Sequence, residues 1–254
     1  MADEAATAAA PDSSAPDENL AAMTLVEHLT ELRTRLFISV FAIAVGAVIA
    51  FIFYQPILDF LVKPYCDIRK GDCKLYVQSP LDGIATRLKI AGYGGLMIAS
   101  PVVLWELWRF ITPGLHKKEK RYAIPFIAAS TLLFFFGVLI AYITYPKALD
   151  FLIDIGGADL QQIFSPKEYV SFFLKIMLAF GLAFEFPVIL VFLELVRVVT
   201  SKRLSSWRRP AIVVIIAAAA VITPSQDPYS LFAMAIPMYI FYELSILIGR
   251  LLKR

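Results

Sequence analysis

Histidine and cysteine are almost missing from this sequence, at two of each in 254 residues. His28 and His116 have no cysteine or second histidine at ligand spacing, so no metal-binding pattern is present. There is no Gly-x-Ser-x-Gly elbow, no phosphate-cradling glycine loop and no His-Glu-x-x-His helix. Hydrolase, nucleotide-binding and metalloprotease chemistry therefore lack a visible nucleophile, cradle or ligand set. Charge is also sparse, at 18% of residues with a net +3, and carries no nucleic-acid footprint. Residues 1–22 contain no Lys or Arg and no apolar run, which argues against a secretory signal or an organellar transit peptide. Rich in Ala, Pro, Asp, Ser and Glu, they read as a disordered acidic tail.

What the chain does contain is apolar surface, with 59% hydrophobic residues and a mean hydropathy of +0.71. These residues arrive in long blocks rather than in alternation, which places the chain in lipid as an all-α protein. Six blocks can be drawn: 36–53, 88–108, 123–145, 169–193, 210–222 and 231–248. Residues 23–254 then form one membrane domain, too short to add a sizeable soluble one. Alternate connecting segments carry fifteen Lys and Arg against eight, and the positive-inside bias puts both termini in the cytoplasm. Segments 54–83 and 146–168 fall outside, with Pro56, Pro64, Pro80, Pro166 and Gly156-Gly157 as turn signals. Both cysteines lie there. A Cys66–Cys73 bridge would close a tight loop worth about 2.5 kcal/mol, and two free thiols are the alternative.

The fifth block is short, since thirteen residues rise about 20 Å against a hydrocarbon core of about 30 Å. Glu243 interrupts the sixth, so both read as short helices beside which the bilayer should thin, unless partner helices cover the mismatch. Thr24 to Glu27 fits a capping box ahead of Leu25, Leu29, Leu32 and Leu36, an amphipathic helix on the cytoplasmic surface that runs into the first span. On its polar face Glu31 can pair with Arg35 one turn on, which by itself accounts for both residues. The basic hairpin at 112–121 encloses one carboxylate, Glu119, readable as charge balance or as a second carboxylate facing a cationic ligand together with Glu31. Glu185 sits inside the fourth block, in Phe184-Glu185-Phe186-Pro187. An ionisable residue there faces a bundle interior, a wet groove or a partner, or forms a structural bond at the Pro187 kink. Pro101 and Pro237 imply bent helices.

Five segments carry a resemblance: E-H-L-T-E-L-R-T-R-L at 27–36, S-P-V-V-L-W-E-L-W-R-F-I-T-P-G-L at 100–115, F-G-L-A-F-E-F-P at 180–187, T-P-S-Q-D-P at 223–228 and A-I-P-M-Y at 235–239. In this order they resemble the TatC family of the twin-arginine translocase, from about residue 23 to the end. The resemblance implies a six-helix, glove-shaped fold in the bacterial inner membrane, with a cytoplasmic face that binds twin-arginine signal peptides of folded cargo. It implies no catalysis and no cofactor. Transport would draw on the proton-motive force, with single-span partners of the TatA and TatB type and a homo-oligomer inside a larger complex. Glu31 and Glu119 match the family's recognition carboxylates and Phe110 an aromatic beside them. Glu185 matches a membrane-embedded glutamate, and Asp227 an acidic residue of the last outside loop. Glu106 departs from the family, where many relatives carry Gln. A different reading makes Glu185 and Glu243 the ion sites of a small secondary transporter, although no internal repeat is evident.

Overall fold

The structure, a computed structural model, describes residues 25–68, 75–111, 123–157, 164–225 and 227–251. The acidic tail, Thr24 of the capping box, Cys73 and Glu119 with its basic neighbours lie outside the described residues, and with them the Cys66–Cys73 bridge.

Among the described residues the protein is helical throughout. The elements are α1 (Leu25–Ile52), α2 (Tyr54–Ile68), α3 (Asp82–Ile111), α4 (Ala123–Ile155), α5 (Pro166–Ala183), α6 (Phe186–Leu195), α7 (Ser201–Ser206), α8 (Arg208–Ile222) and α9 (Pro228–Leu251). Five stretches are long and apolar enough to cross a membrane: α1, α3, α4, α5 with α6, and α9. Helix α8, at 15 residues or about 22 Å, remains short as its apolar block implies.

The expectation of a short last helix is corrected, because α9 runs 24 residues without a break. Glu243 does not end it: Arg208 donates to its Oε2 at 2.8 Å and the Tyr239 hydroxyl to its Oε1 at 3.1 Å. The turn reading of Pro56 and Pro64 is corrected too. Pro56 falls in the first turn of α2, where no helical N–H is needed, and Pro64 is buried inside the helix with Leu61 and Tyr65. The polar start of α1 runs without a break into the first span, as its sequence implies.

Helix α5 forms the centre, burying Phe173, Phe180 and neighbouring side chains against α3 and α4. Tyr145 of α4 stacks on Phe173 at 3.8 Å between centroids, and the Tyr169 hydroxyl donates to the Leu61 carbonyl at 2.9 Å. Pro187 separates α5 from α6, since it lacks an N–H and its ring crowds the carbonyl four residues back. Large apolar side chains such as Phe41, Ile52, Leu132 and Val213 stand exposed around the outside, the pattern of a surface solvated by lipid.

The packing that matters for function is α1 against α3. A Cβ built on Gly46 would lie 2.6 Å from the Gly95 carbonyl oxygen, and one on Gly95 would lie 2.5 Å from the Ala47 nitrogen. Without side chains at these positions the two backbones touch. The register is antiparallel along the whole length: Arg35 faces Glu106, Gly46 faces Gly95, and at the far end Arg87 lies over the Tyr54 ring at 4.7 Å.

Candidate functional site

That register brings three ionisable side chains together where α1 begins and α3 ends, the end that the charge bias assigns to the cytoplasm. Arg35 Nη1 donates to Glu106 Oε2 at 2.9 Å, and Nη2 donates to Glu31 Oε1 at 3.0 Å. The three side chains are partly enclosed, with Arg35 and Glu31 each 17% exposed and Glu106 8%. Enclosure strengthens charge-assisted bonds and raises the cost of leaving any of these groups alone. Two carboxylates share one guanidinium, so these three side chains carry one negative charge in excess. Glu31 Oε2 and Arg35 Nε are enclosed and have no hydrogen-bond partner among the described residues. Beside the cluster, His28 stacks on Phe110 with centroids 4.5 Å apart and planes 21° apart. Such a ring pair offers an aromatic face to a cation.

The Glu31–Arg35 pair within α1 is therefore real, and it is also part of something larger. Glu106 was legible only as a departure from a family pattern; the structure makes it the second partner of Arg35. Glu31, Phe110 and Glu106 stand at one end of the bundle, and the position of Glu119 lies outside the described residues.

The remaining carboxylates sit elsewhere. Glu185 occupies the break between α5 and α6, buried inside the bundle beside Ser130 of α4, and its Oε1 has no partner among the described residues. Ser130 also accepts from Trp108 Nε1 at 2.7 Å, which ties this position to α3. Asp227 is fully buried; its Oδ1 accepts from the Ser230 amide at 2.7 Å and its carbonyl from the Leu231 amide at 3.1 Å. It caps the N-terminus of α9 ahead of Pro228, a role its Asp-Pro sequence could have announced. Glu194, which no sequence feature singled out, is 2% exposed near the end of α6, in contact with Gly249 of α9 and beside Ser201. Glu243 belongs to Arg208 and Tyr239, which leaves it poorly suited to the ion-site reading. Cys66 is half-buried on α2.

The fold and this site define a polytopic helical membrane protein with a partly enclosed Glu–Arg–Glu cluster at one end. Residues 27–237 match the family model described as Sec-independent protein translocase protein (TatC). The chain belongs to the TatC family, a family of protein-transport components rather than enzymes. A TatC protein of Aquifex aeolicus is 41% identical over 237 residues, covering 91% of this chain and 97% of its own. One from Frankia casuarinae is 40% identical over 243 residues, covering 91% of this chain and 67% of the relative. A crystal structure described as the twin arginine translocase receptor TatC superimposes with a TM-score of 0.73 at 41% identity, over 90% of this chain and all of that one.

Proposed function

We propose that this chain is the receptor subunit of a twin-arginine translocase, and that Glu31 is the carboxylate that receives an arginine of the signal peptide. The observation that carries this reading is the Glu31–Arg35–Glu106 cluster, whose excess negative charge and unpartnered Glu31 oxygen suit a cationic ligand. An Arg guanidinium presents a planar fork that matches a carboxylate, whereas a Lys ammonium is compact, strongly hydrated and lacks that geometry. Two adjacent arginines ask for a second carboxylate, which we assign to Glu119, with Phe110 as an aromatic wall. Glu185 serves as an intramembrane polar site for a partner helix, single-span proteins of the TatA and TatB type assemble on the chain, and the proton-motive force drives transport. Asp227 acts indirectly, by holding the start of α9. Both termini face the cytoplasm of a bacterial inner membrane; labelling of residue 116 from the outer side would reverse that orientation.

Site-specific crosslinking tests the receptor reading. Photoreactive groups at 28, 32 and 110 should capture a signal peptide carrying Arg-Arg and capture its Lys-Lys counterpart far less. Equal capture of both, or capture only from distant positions, would place recognition elsewhere.

A further inference from the structure

The cluster at the end of α1 and α3 already contains a guanidinium on the carboxylate that a ligand arginine would use. Arg35 Nη2 holds Glu31 Oε1 at 3.0 Å, while Glu31 Oε2 has no partner among the described residues. A forked pairing with an incoming arginine uses both oxygens, so the ligand competes with Arg35 for Oε1 and pairs best once Arg35 releases Glu31. Were Glu31 its sole partner, this would strand a partly enclosed positive charge, a costly outcome. Arg35 Nη1, however, is also held by Glu106 Oε2 at 2.9 Å.

We propose that Glu106 is a positioning residue for ligand exchange: it keeps Arg35 neutralised while an incoming arginine takes Glu31. Before exchange two carboxylates share one guanidinium; after it each carboxylate has its own. The ligand supplies the missing positive charge, and no group in the cluster is left unpaired. Arg35 acts as a resident competitor that sets a threshold. A ligand cation displaces it only by pairing with Glu31 at least as well, which favours a forked guanidinium over an ammonium. Arg33, two residues before Arg35, does not compete for Glu31 in this arrangement: it lies 5.6 Å over the Phe37 ring on another face of α1.

This inference rests on the receptor reading, and a set of variants separates the two. The full chain in lipid nanodiscs would be titrated with a fluorescent Arg-Arg signal peptide, comparing wild type, Glu31→Gln, Glu106→Gln, Arg35→Gln and the Arg35→Gln/Glu106→Gln double variant. Glu106→Gln keeps an acceptor for Arg35 but removes the spare charge, so Arg35 clings to Glu31 and affinity should fall about tenfold. Arg35→Gln removes the competitor, so affinity should rise and the preference over a Lys-Lys peptide should shrink. The double variant should bind more tightly than Glu106→Gln, because the competitor is gone there too. If Arg35→Gln does not fold, Arg35→Lys replaces it, since one ammonium cannot bridge both carboxylates with a fork. Losses of the same sign in both single variants, or wild-type affinity in Glu106→Gln, would overturn the exchange. Wild-type affinity in Glu31→Gln would instead remove the receptor reading itself.

Discussion

Two arginine–glutamate clusters stand at the end of the bundle that carries most of the basic residues, and they are built differently. Arg208 and Glu243 join α8 to α9 one to one at 2.8 Å, with side chains 45% and 32% exposed. Arg35 joins α1 to α3 with two carboxylates, and none of the three side chains is more than 17% exposed. The first pair is balanced and screened, so it pins a hairpin and has no capacity left for a ligand. The second is enclosed and out of balance, so it holds two helices together and is left with an excess negative charge, the feature on which the receptor proposal rests. Exposure and charge count, rather than the residue types, separate the structural pin from the proposed recognition site.

The sharpest way to test that contrast is to remove the shared guanidinium. Arg35→Gln leaves two partly enclosed carboxylates without a counter-ion and should cost about 3 kcal/mol of stability, read as a lower thermal midpoint in detergent. An Arg-Arg peptide should raise that midpoint more in the variant than in wild type, since it restores the missing charge. Opening the α1–α3 contact comes next. Gly95→Ala places a Cβ against the Ala47 backbone and should cost about 2 kcal/mol while weakening peptide binding through the displaced cluster. Gly92→Ala on the same helix meets nothing within 4 Å and should be neutral or stabilising by less than about 1 kcal/mol. The smallest effect belongs to the exposed pair: Glu243→Gln should cost at most about 1 kcal/mol and leave peptide affinity unchanged. A large loss of binding there would erase the distinction between the two clusters.

Much of this arrangement was legible in the sequence. Block length and hydropathy located the apolar segments, Pro187 marked the interruption beside Glu185, and Arg208 and Arg209, the first residues of α8, marked where its short apolar block begins. Glu31 and Phe110 could be placed in a common neighbourhood only through the family resemblance. What could not be read were pairings between distant positions. Glu106 meets Arg35 across 71 residues, in a register set by Gly46 and Gly95 deep in the helices. Glu243 reads as an interruption of an apolar run because nothing in the local sequence points to Arg208, 35 residues away, which holds it. Glu194 carries no local signal, and its burial involves contact with Gly249 on another helix. The prolines of α2 suggested turns because their tolerance depends on where the helix starts and what buries it. Asp227 is the one case where a local signal was present and was read as function rather than as a cap.

The receptor reading stands on Glu31, and the affinity of the full chain for signal peptides tests it most directly. Arg-Arg and Lys-Lys peptides would be titrated against wild type and Glu31→Gln in the same lipid. Loss of one partly enclosed charged pair should weaken Arg-Arg binding by about 5- to 150-fold and bring it close to the Lys-Lys value. Undiminished Arg-Arg affinity in a folded Glu31→Gln protein, with its preference over Lys-Lys intact, would contradict the assignment and leave Glu31 as a structural partner of Arg35 alone.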